Sequence, residues 1–246
     1  MLGLALDSAG GMASAALWRD RAGSEDSSAN QAFDMLAYRE LPPESGKADQ
    51  LILVVEQLLQ SRSLSYGDLD VIAVNRGPGS FTGIRSAVAL CRGLALATQR
   101  PVIGVTTHEA LALSLVGDDV IGLSRPRPLM IAEDARRSQV YVQSFDVDLQ
   151  PLGDVRACSP EIAAEELGFG PWDLGGSGAA LVREHLDDHS VVTIVDEIGL
   201  DARAVALAAS TRLIAGEKPM PGFDLLPLYI RAPDAVRPKP LVGELI

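Results

Sequence analysis

A short apolar run that ends in an acidic residue, turns, and resumes as a second apolar run occurs twice in this chain. Leu2–Leu6 leads into Asp7, the small residues Ser8-Ala-Gly-Gly11 follow, and Ala13–Trp18 is the second run. Near the midpoint Leu129–Ala132 leads into Glu133-Asp134, then a polar turn Arg136-Arg137-Ser138, then Val140-Tyr-Val142. Strand, acid, tight turn and strand make a hairpin grammar. One copy in each half predicts two related domains, although the agreement is of pattern and not of residue identity.

Each copy continues into alternating helices and strands. In the first half Phe33–Leu41 reads as a strand and Gly46 to Arg62 as a helix, with Leu51, Val54, Val55, Leu58 and Leu59 along one face. Ile52 and Leu53 make that face wider than one core contact needs. Asp70–Val74 reads as a buried strand, Ile84 to Thr98 as a helix, Pro101–Val105 as a strand and Thr107–Val116 as a helix. Gly117–Pro128, with Gly122, Pro126 and Pro128, has the composition of a linker. In the second half Pro160–Leu167 and Ser177–Leu186 read as helices, and Trp172–Leu174 and Val191–Val195 as strands. Asp201–Ala215 is an alanine-rich helix, capped by Asp201 and stopped by Gly216. Helices between short buried strands mean an α/β fold, here two domains, each a mixed sheet flanked by helices. The divisions are 1–106, 107–218 with a last helix able to cross back to the first domain, and an extended, proline-rich tail over 219–246.

Composition removes several function classes. A formal net charge of −12 over 246 residues argues against an autonomous nucleic-acid binder, because phosphate neutralisation supplies that affinity. The two cysteines, Cys91 and Cys158, lie far apart without a CxxC spacing and suit a reducing compartment. The N-terminus reads as a strand without the basic start of a signal peptide, and no run is long enough to cross a bilayer. The expected location is the cytoplasm, with no membrane partner.

The most informative stretch is Arg76-Gly-Pro-Gly-Ser-Phe-Thr-Gly-Ile-Arg85, between a buried strand and a helix start. Free N–H groups and the helix dipole favour an anion at such a place. Gly77, Gly79 and Gly83 permit close approach, and Ser80 and Thr82 can cap the helix or donate to an oxygen ligand. A tight turn with an N-cap explains the same residues, and both readings stay open. No Lys-Ser/Thr pair follows the last glycine, so this is not a Walker loop. Pro78 stands where the first glycine of a nucleophile elbow belongs. The helix that follows carries Ala89, Gly93 and Ala97 at spacing four, which fits either close packing on a sheet or a helix–helix interface. Arg85 and Arg92, two turns apart, can edge a partner-facing surface.

Gly77-Pro-Gly-Ser-Phe-Thr-Gly-Ile-Arg85 resembles the hallmark loop of the TsaB family. Further stretches fit in order: Leu4-Ala-Leu-Asp7-Ser8-Ala9 with Ala15-Ala-Leu-Trp18, Ile103-Gly-Val-Thr106, Asp134-Ala-Arg136 with Val140-Tyr141, and Pro227-Leu-Tyr229-Ile-Arg231. The resemblance spans nearly the whole chain. It implies two actin-like domains of the RNase H-like, ASKHA kind. It also implies a non-catalytic role in placing threonylcarbamoyl on the tRNA adenosine beside the anticodon. In that setting a TsaB-like subunit pairs with the catalytic paralogue TsaD, the ATPase TsaE joins them, and tRNA is met only through the complex. The pairing helices match Gly46–Arg62 and Ile84–Thr98. The implied contacts are therefore Leu51, Val54, Val55, Leu58, Arg85, Ala89, Arg92, Gly93 and Ala97, and without a partner the same surface implies a homodimer. No cofactor is implied for the chain alone; ATP or ADP belongs at the partner interface, with Asp7, Ser8, Gly77, Gly79, Ser80, Thr82 and Gly83 as the phosphate-facing candidates.

The chain departs from the catalytic paralogue. TsaD-like enzymes carry His-x-x-x-His in the first domain, and the corresponding helix here, from Gly46-Lys-Ala-Asp-Gln-Leu, has no histidine. Metal polarisation of a carbonyl or phosphoryl group needs several fixed ligands. Asp7 and Asp134 can serve a phosphate-bound metal or merely cap turns. Gly175-Gly-Ser-Gly178 resembles an adenine-side loop and equally reads as a strand-to-helix turn. His185 and His189, four apart, have no third ligand placed by local sequence, and His108 reads as a helix-start residue. A sugar or acyl kinase of the same fold is the competing class and needs Asp7, Asp134 and both glycine loops; a metalloprotease is a distant third.

Overall fold

The computed structural model describes residues 1–10, 12–21, 33–41, 50–117, 127–168, 170–186, 191–195 and 199–231. They form two five-stranded sheets built to one plan. The first contains β1 (Leu2–Asp7), β2 (Ser14–Asp20), β3 (Phe33–Glu40), β4 (Val71–Asn75) and β5 (Val102–Val105), in the order β3-β2-β1-β4-β5. The second contains β6 (Leu129–Asp134), β7 (Val140–Phe145), β8 (Arg156–Cys158), β9 (Trp172–Gly175) and β10 (Val191–Val195), in the order β8-β7-β6-β9-β10. Read from its third strand, each sheet runs third, second, first, fourth, fifth. The first three strands are antiparallel neighbours, and the fourth and fifth add in parallel. The hairpin grammar accounts for the antiparallel part, and parallel strands require helical crossovers.

Those crossovers are matched too. Helix α1 (Leu51–Ser61) precedes β4, α2 (Phe81–Thr98) joins β4 to β5, and α3 (Thr107–Gly117) follows β5. In the second half α4 (Pro160–Leu167) precedes β9, α5 (Ala179–Arg183) joins β9 to β10, and α6 (Ala202–Ile214) follows β10. The closing helix of each half packs on the other. Leu111, Ala112 and Leu115 of α3 join Leu129, Ile131 and Phe145 of the second sheet. The alanine face of α6 lies on Ala5, Ala16 and Ala73 of the first sheet. Small residues on both sides of that contact bring the helix close. Ser210 ties it down by donating to Asp20 at 2.6 Å, and the same carboxylate accepts from the Trp18 indole at 3.2 Å. The second domain therefore closes on the first, as a crossing last helix requires.

The opposite face of the first sheet is covered by the first two helices. Leu4, Leu6, Ile72 and Val74 meet Leu51, Val54, Val55 and Leu58 of α1 and Ile84, Val88 and Cys91 of α2. This corrects the assignment of the α1 stripe to a partner surface: Leu51, Val54 and Val55 have no exposed area and Leu58 has 1%. Helical spacing identifies an apolar face without saying what it meets, and here it meets the chain's own sheet. Leu53, half exposed, is what remains outside.

Other boundaries moved for local reasons. Helix α2 starts three residues before Ile84 because the Ser80 hydroxyl accepts from the Gly83 N–H and caps it there. The helix expected over Ser177–Leu186 shortens to Ala179–Arg183, and β8 was not expected. The part of the proline-rich tail that is described is packed down: Met220 bridges to Val102, and Leu225 enters the first core with 1% exposure. Residues 42–49, 118–126, His189 and 232–246, on which parts of the expected helix, linker, histidine pair and tail fall, lie outside the described residues. Among the described residues no helix is long and apolar enough to cross a membrane.

Candidate functional site

The two hairpin turns and the two glycine turns converge on a cleft of about 650 Å3 between the domains. Ala9, Gly10, Pro78, Gly79 and Ser80 form one wall, and Glu133, Asp134, Ala135, Arg136 and Ser177 the other, with Thr107 and Tyr141 also lining it. On the first wall the glycine loop is fitted against the β1–β2 turn. A Cβ on Gly83 would lie 1.8 Å from the Ser8 carbonyl oxygen, and one on Gly79 would lie 2.9 Å from that of Ala9. The Ser80 N–H is spent on the Ala9 carbonyl at 3.0 Å, and the Gly77 N–H on the Asn75 side chain at 2.8 Å. Ser80 and Gly79 remain at the cleft, Thr82 is exposed, and Ser8, Gly77 and Gly83 are buried. In large part the loop is a capped turn that closes the end of the first sheet.

Asp7 lies beneath this loop and is strongly changed by it. It is 1% exposed and does not line the cleft. Its Oδ1 accepts from the Ala9 N–H at 3.2 Å and from the Asn75 amide at 2.9 Å. Burial pushes its carboxyl up to about 6, against the lowering effect of hydrogen bonds from Ala9, Asn75 and Gly10, and Asp201 adds a small repulsion. The Asn75 amide also donates to Thr107 Oγ1 at 3.1 Å, and that hydroxyl donates to the Pro78 carbonyl at 2.5 Å. Asp7, Asn75 and Thr107 thus lock β1, β4 and α3 together beneath the glycine loop. Asn75 and Thr107 are 68 and 100 residues from Asp7, and nothing local in the sequence marks them.

The second wall supplies the carboxylates that line the cleft. Glu133 accepts from the Ser177 N–H at 3.0 Å and from its hydroxyl at 3.1 Å; burial still raises its carboxyl against these bonds. Asp134 accepts from the Arg136 N–H at 2.7 Å and pairs with its guanidinium at 3.4 Å. Gly175–Gly178 is the strand-to-helix turn that brings Ser177 to Glu133. His108 lies behind the cleft, fully buried, with Nε2 3.0 Å from the Tyr141 carbonyl, and burial lowers it to about 4. It is a neutral seam residue between the halves at neutral pH. His185 lies 3.3 Å from Glu161, on the outside of the second domain. Among the described residues no three His, Cys, Asp or Glu side chains group as a metal site.

The other candidate region is the outer face of α2. Arg85, Ala89, Arg92, Gly93 and Ala97 all face outward, and Leu96 beside them is 84% exposed. No atom comes within 4 Å of a Cβ built on Gly93, so the small-residue stripe is open to solvent and does not pack on the sheet. At its N-terminal end Tyr229 lies against Phe81 with ring centroids 5.7 Å apart. Arg85 stacks over the same Phe81 at 4.3 Å and donates to the Tyr229 hydroxyl at 3.0 Å. The stretch Pro227–Arg231 was visible in the sequence, but its role was not.

Comparison with known proteins fits this architecture. A family model described as TsaD: tRNA N6-adenosine threonylcarbamoyltransferase matches residues 42–165. The tRNA threonylcarbamoyladenosine biosynthesis protein TsaB of Escherichia coli is 28% identical over 234 residues, covering 93% of this chain and 94% of that one. A crystal structure from Pseudomonas aeruginosa, described as an uncharacterized protein similar to peptidase YeaZ, superimposes with a TM-score of 0.75 at 26% identity, over 94% of this chain and 99% of that one. The chain belongs to the TsaB family. The tRNA N6-adenosine threonylcarbamoyltransferase of Cereibacter sphaeroides is 50% identical to it over 67 residues, 27% of this chain and 18% of the enzyme. The fold of this family is thus, here, two mixed five-stranded sheets flanked by helices, and part of its sequence is shared with a transferase.

Proposed function

We propose that this TsaB-family chain acts in the biosynthesis of tRNA threonylcarbamoyladenosine as a non-catalytic subunit that docks a TsaD-type transferase through the outer face of α2. The observation that carries this reading is the open stripe of Ala89, Gly93 and Ala97 beside Leu96, 84% exposed, on a helix whose other face is core. Small residues let a second backbone come close, and a contiguous apolar patch marks an interaction surface. Arg85 and Arg92 sit on the same face, and Leu53 of α1 extends the set of exposed apolar residues. In this reading nucleotide, as ATP or ADP, is met at the joint with the partner. A TsaE-type ATPase and tRNA are met through the complex, and the free chain pairs with itself by the same face. The sequestration of Asp7 supports a loss of catalysis, since the carboxylate is buried, its Oδ1 is held by Ala9 and Asn75, and the residue does not line the cleft.

The test is co-purification with a TsaD-type protein, together with tRNA modification by the reconstituted set, after Ala89→Trp and Gly93→Trp. Both positions are exposed, so folding is preserved, and association and modification are expected to fall together at least about tenfold. Unchanged association would remove the assigned surface. A second reading, a small-molecule kinase, is favoured by the cleft itself, which sets Gly79 and Ser80 opposite Glu133 and Asp134. Calorimetry of the isolated chain with magnesium and ATP separates the two: tight binding with turnover selects the kinase.

A further inference from the structure

The segment after Leu225 touches both candidate regions. At one end the Leu228 N–H donates to the Arg76 carbonyl at 2.7 Å, and Tyr229 stacks on Phe81 and accepts from Arg85. Two residues later Arg231 reaches the other domain. It donates to the carbonyls of Ala135 at 2.6 Å and Arg136 at 3.1 Å and lies over the Tyr141 ring at 5.4 Å. Ala135, Arg136 and Tyr141 all line the cleft.

The turn gripped by Arg231 is unusual. Arg136, Arg137 and Ser138 have φ of 64°, 56° and 55°, three consecutive side-chain-bearing residues in the left-handed region. That region is disfavoured for L-residues with a Cβ, and such turns persist only where the surroundings over-determine them. Its restraints include the Ala135 N–H to Gln139, the Gln139 N–H to Arg136, the Asp134 carboxylate on the Arg136 N–H and guanidinium, and Arg231 on two carbonyls. One of these restraints comes from the strap whose other end lies on α2.

We propose that Leu228–Arg231 is a coupling strap: a protein seated on the Phe81–Arg85–Tyr229 end of α2 alters, through Arg231, the turn that forms the second-domain wall of the cleft. The partner arm of this inference rests on the scaffold reading; the mechanical link does not. A link only two residues long transmits displacement because Tyr229 and Arg231 are each anchored by a ring contact and a hydrogen bond. Partner docking that competes for Tyr229 or Arg85 slackens the strap, and the Arg136–Ser138 turn then loses the group that neutralises two of its carbonyls.

Amide hydrogen exchange on the full chain tests this without any partner. Arg231→Ala is expected to accelerate exchange of the Ala135 and Gln139 amides directly. The decisive variants are at the far end: Arg85→Ala and Tyr229→Phe, which leave the turn untouched, should accelerate the same two amides at least about threefold while β1 and β4 stay protected. Unchanged exchange at Ala135 and Gln139 in both far-end variants overturns the strap, as does unchanged exchange in Arg231→Ala. In a second arm a TsaD-type protein is added to saturation. The two amides should change protection in the wild type, and not in Arg231→Ala bound to the same extent. Equal changes in both overturn the coupling. Failure of that protein to bind overturns the scaffold reading alone, and the far-end variants still decide the strap.

Discussion

Asp7 and Asp134 end equivalent strands, the first of each sheet, yet they live in different media. Asp7 is 1% exposed beneath a glycine loop, whereas the Asp134 side chain is 31% exposed at the cleft and paired with an arginine at 3.4 Å. The difference lies in the helix after each fourth strand. After β4 comes an eighteen-residue helix whose first turn is pressed on the Ser8 carbonyl through Gly83. After β9 comes a five-residue helix, α5. The turn before it is pressed on β6 at Gly176, where a Cβ would lie 2.3 Å from the Ala132 carbonyl oxygen, but at Gly178 it meets the second hairpin less tightly, with a Cβ contact of 3.0 Å to the Asp134 N–H nitrogen. A common strand order thus carries one hairpin sealed into a core and one left open, and the sealed half presents the long, outward-facing helix.

The largest effect should come from breaking that seal. In Gly83→Ala the new methyl would stand 1.8 Å from backbone, so the β1–β2 turn must move; a loss on the order of 3 kcal/mol or more is expected. Gly178→Ala, with its nearest atom the Val140 methyl at 2.9 Å, should cost about 1–2 kcal/mol. Urea denaturation of both variants measures the gap, and equal losses would abolish the contrast between the halves.

Next in size is the buried charge. Asp7 is raised from 3.8 to about 6 in the folded state, so the native protein holds that proton more tightly than the unfolded chain. The group is neutral in both states below about pH 3, costs stability progressively as pH rises from there toward 6, and carries its full cost above, on the order of 2–3 kcal/mol. Asp7→Asn should therefore stabilise the chain by about 1–3 kcal/mol at pH 8 and leave it unchanged near pH 3. Asp134→Asn, which loses an exposed pair and a turn cap, should instead cost up to about 1 kcal/mol. Thermal melts at the two pH values discriminate.

His108 runs the other way. Its folded value is lowered from 6.5 to about 4, so it is neutral in both states above pH 6.5 and destabilises the fold as pH falls from there toward 4. Over that window its slope opposes that of Asp7, and the wild type should respond weakly to the pair. Asp7→Asn should uncover the His108 slope, a decline of about 3 kcal/mol between pH 6.5 and 4, which His108→Gln in the same background should flatten. A melt series across that range that stays level in Asp7→Asn would show that the seam histidine is not held neutral by burial.

How much the sequence could disclose depends on how far each cause reaches. The hairpins, the order of the helices and the crossing alanine helix were legible because their signals are local: period, caps, and glycine or proline stops. The medium around Asp7 was not, because it depends on Asn75 and on Thr107. The α1 stripe of Leu51, Val54, Val55 and Leu58 was legible as a face and misassigned as an interface, since a surplus of apolar residues cannot say which of them the sheet covers. The strap shows a third case: Tyr229 and Arg231 stood out as a motif, but their partners lie 144 and 96 residues away.

The smallest expected effect bears most directly on why the first half keeps its long helix. Gly93 sits inside α2 with no atom within 4 Å of a Cβ built on it. Glycine in an exposed helix interior is less stable than alanine by about 0.5–1 kcal/mol, so Gly93→Ala should raise the melting midpoint of the free chain. No contact within the chain requires a glycine here, and the short α5 offers no equivalent face. If the outer surface of α2 receives a second helix, the same methyl that steadies the free chain should weaken the complex, because backbones in close contact leave no room for it. Opposite signs in the melt and in the association constant support a docking face on the first half alone. A destabilised free chain would mean that Gly93 answers to packing within its own domain, and the asymmetry between the halves would then need another cause.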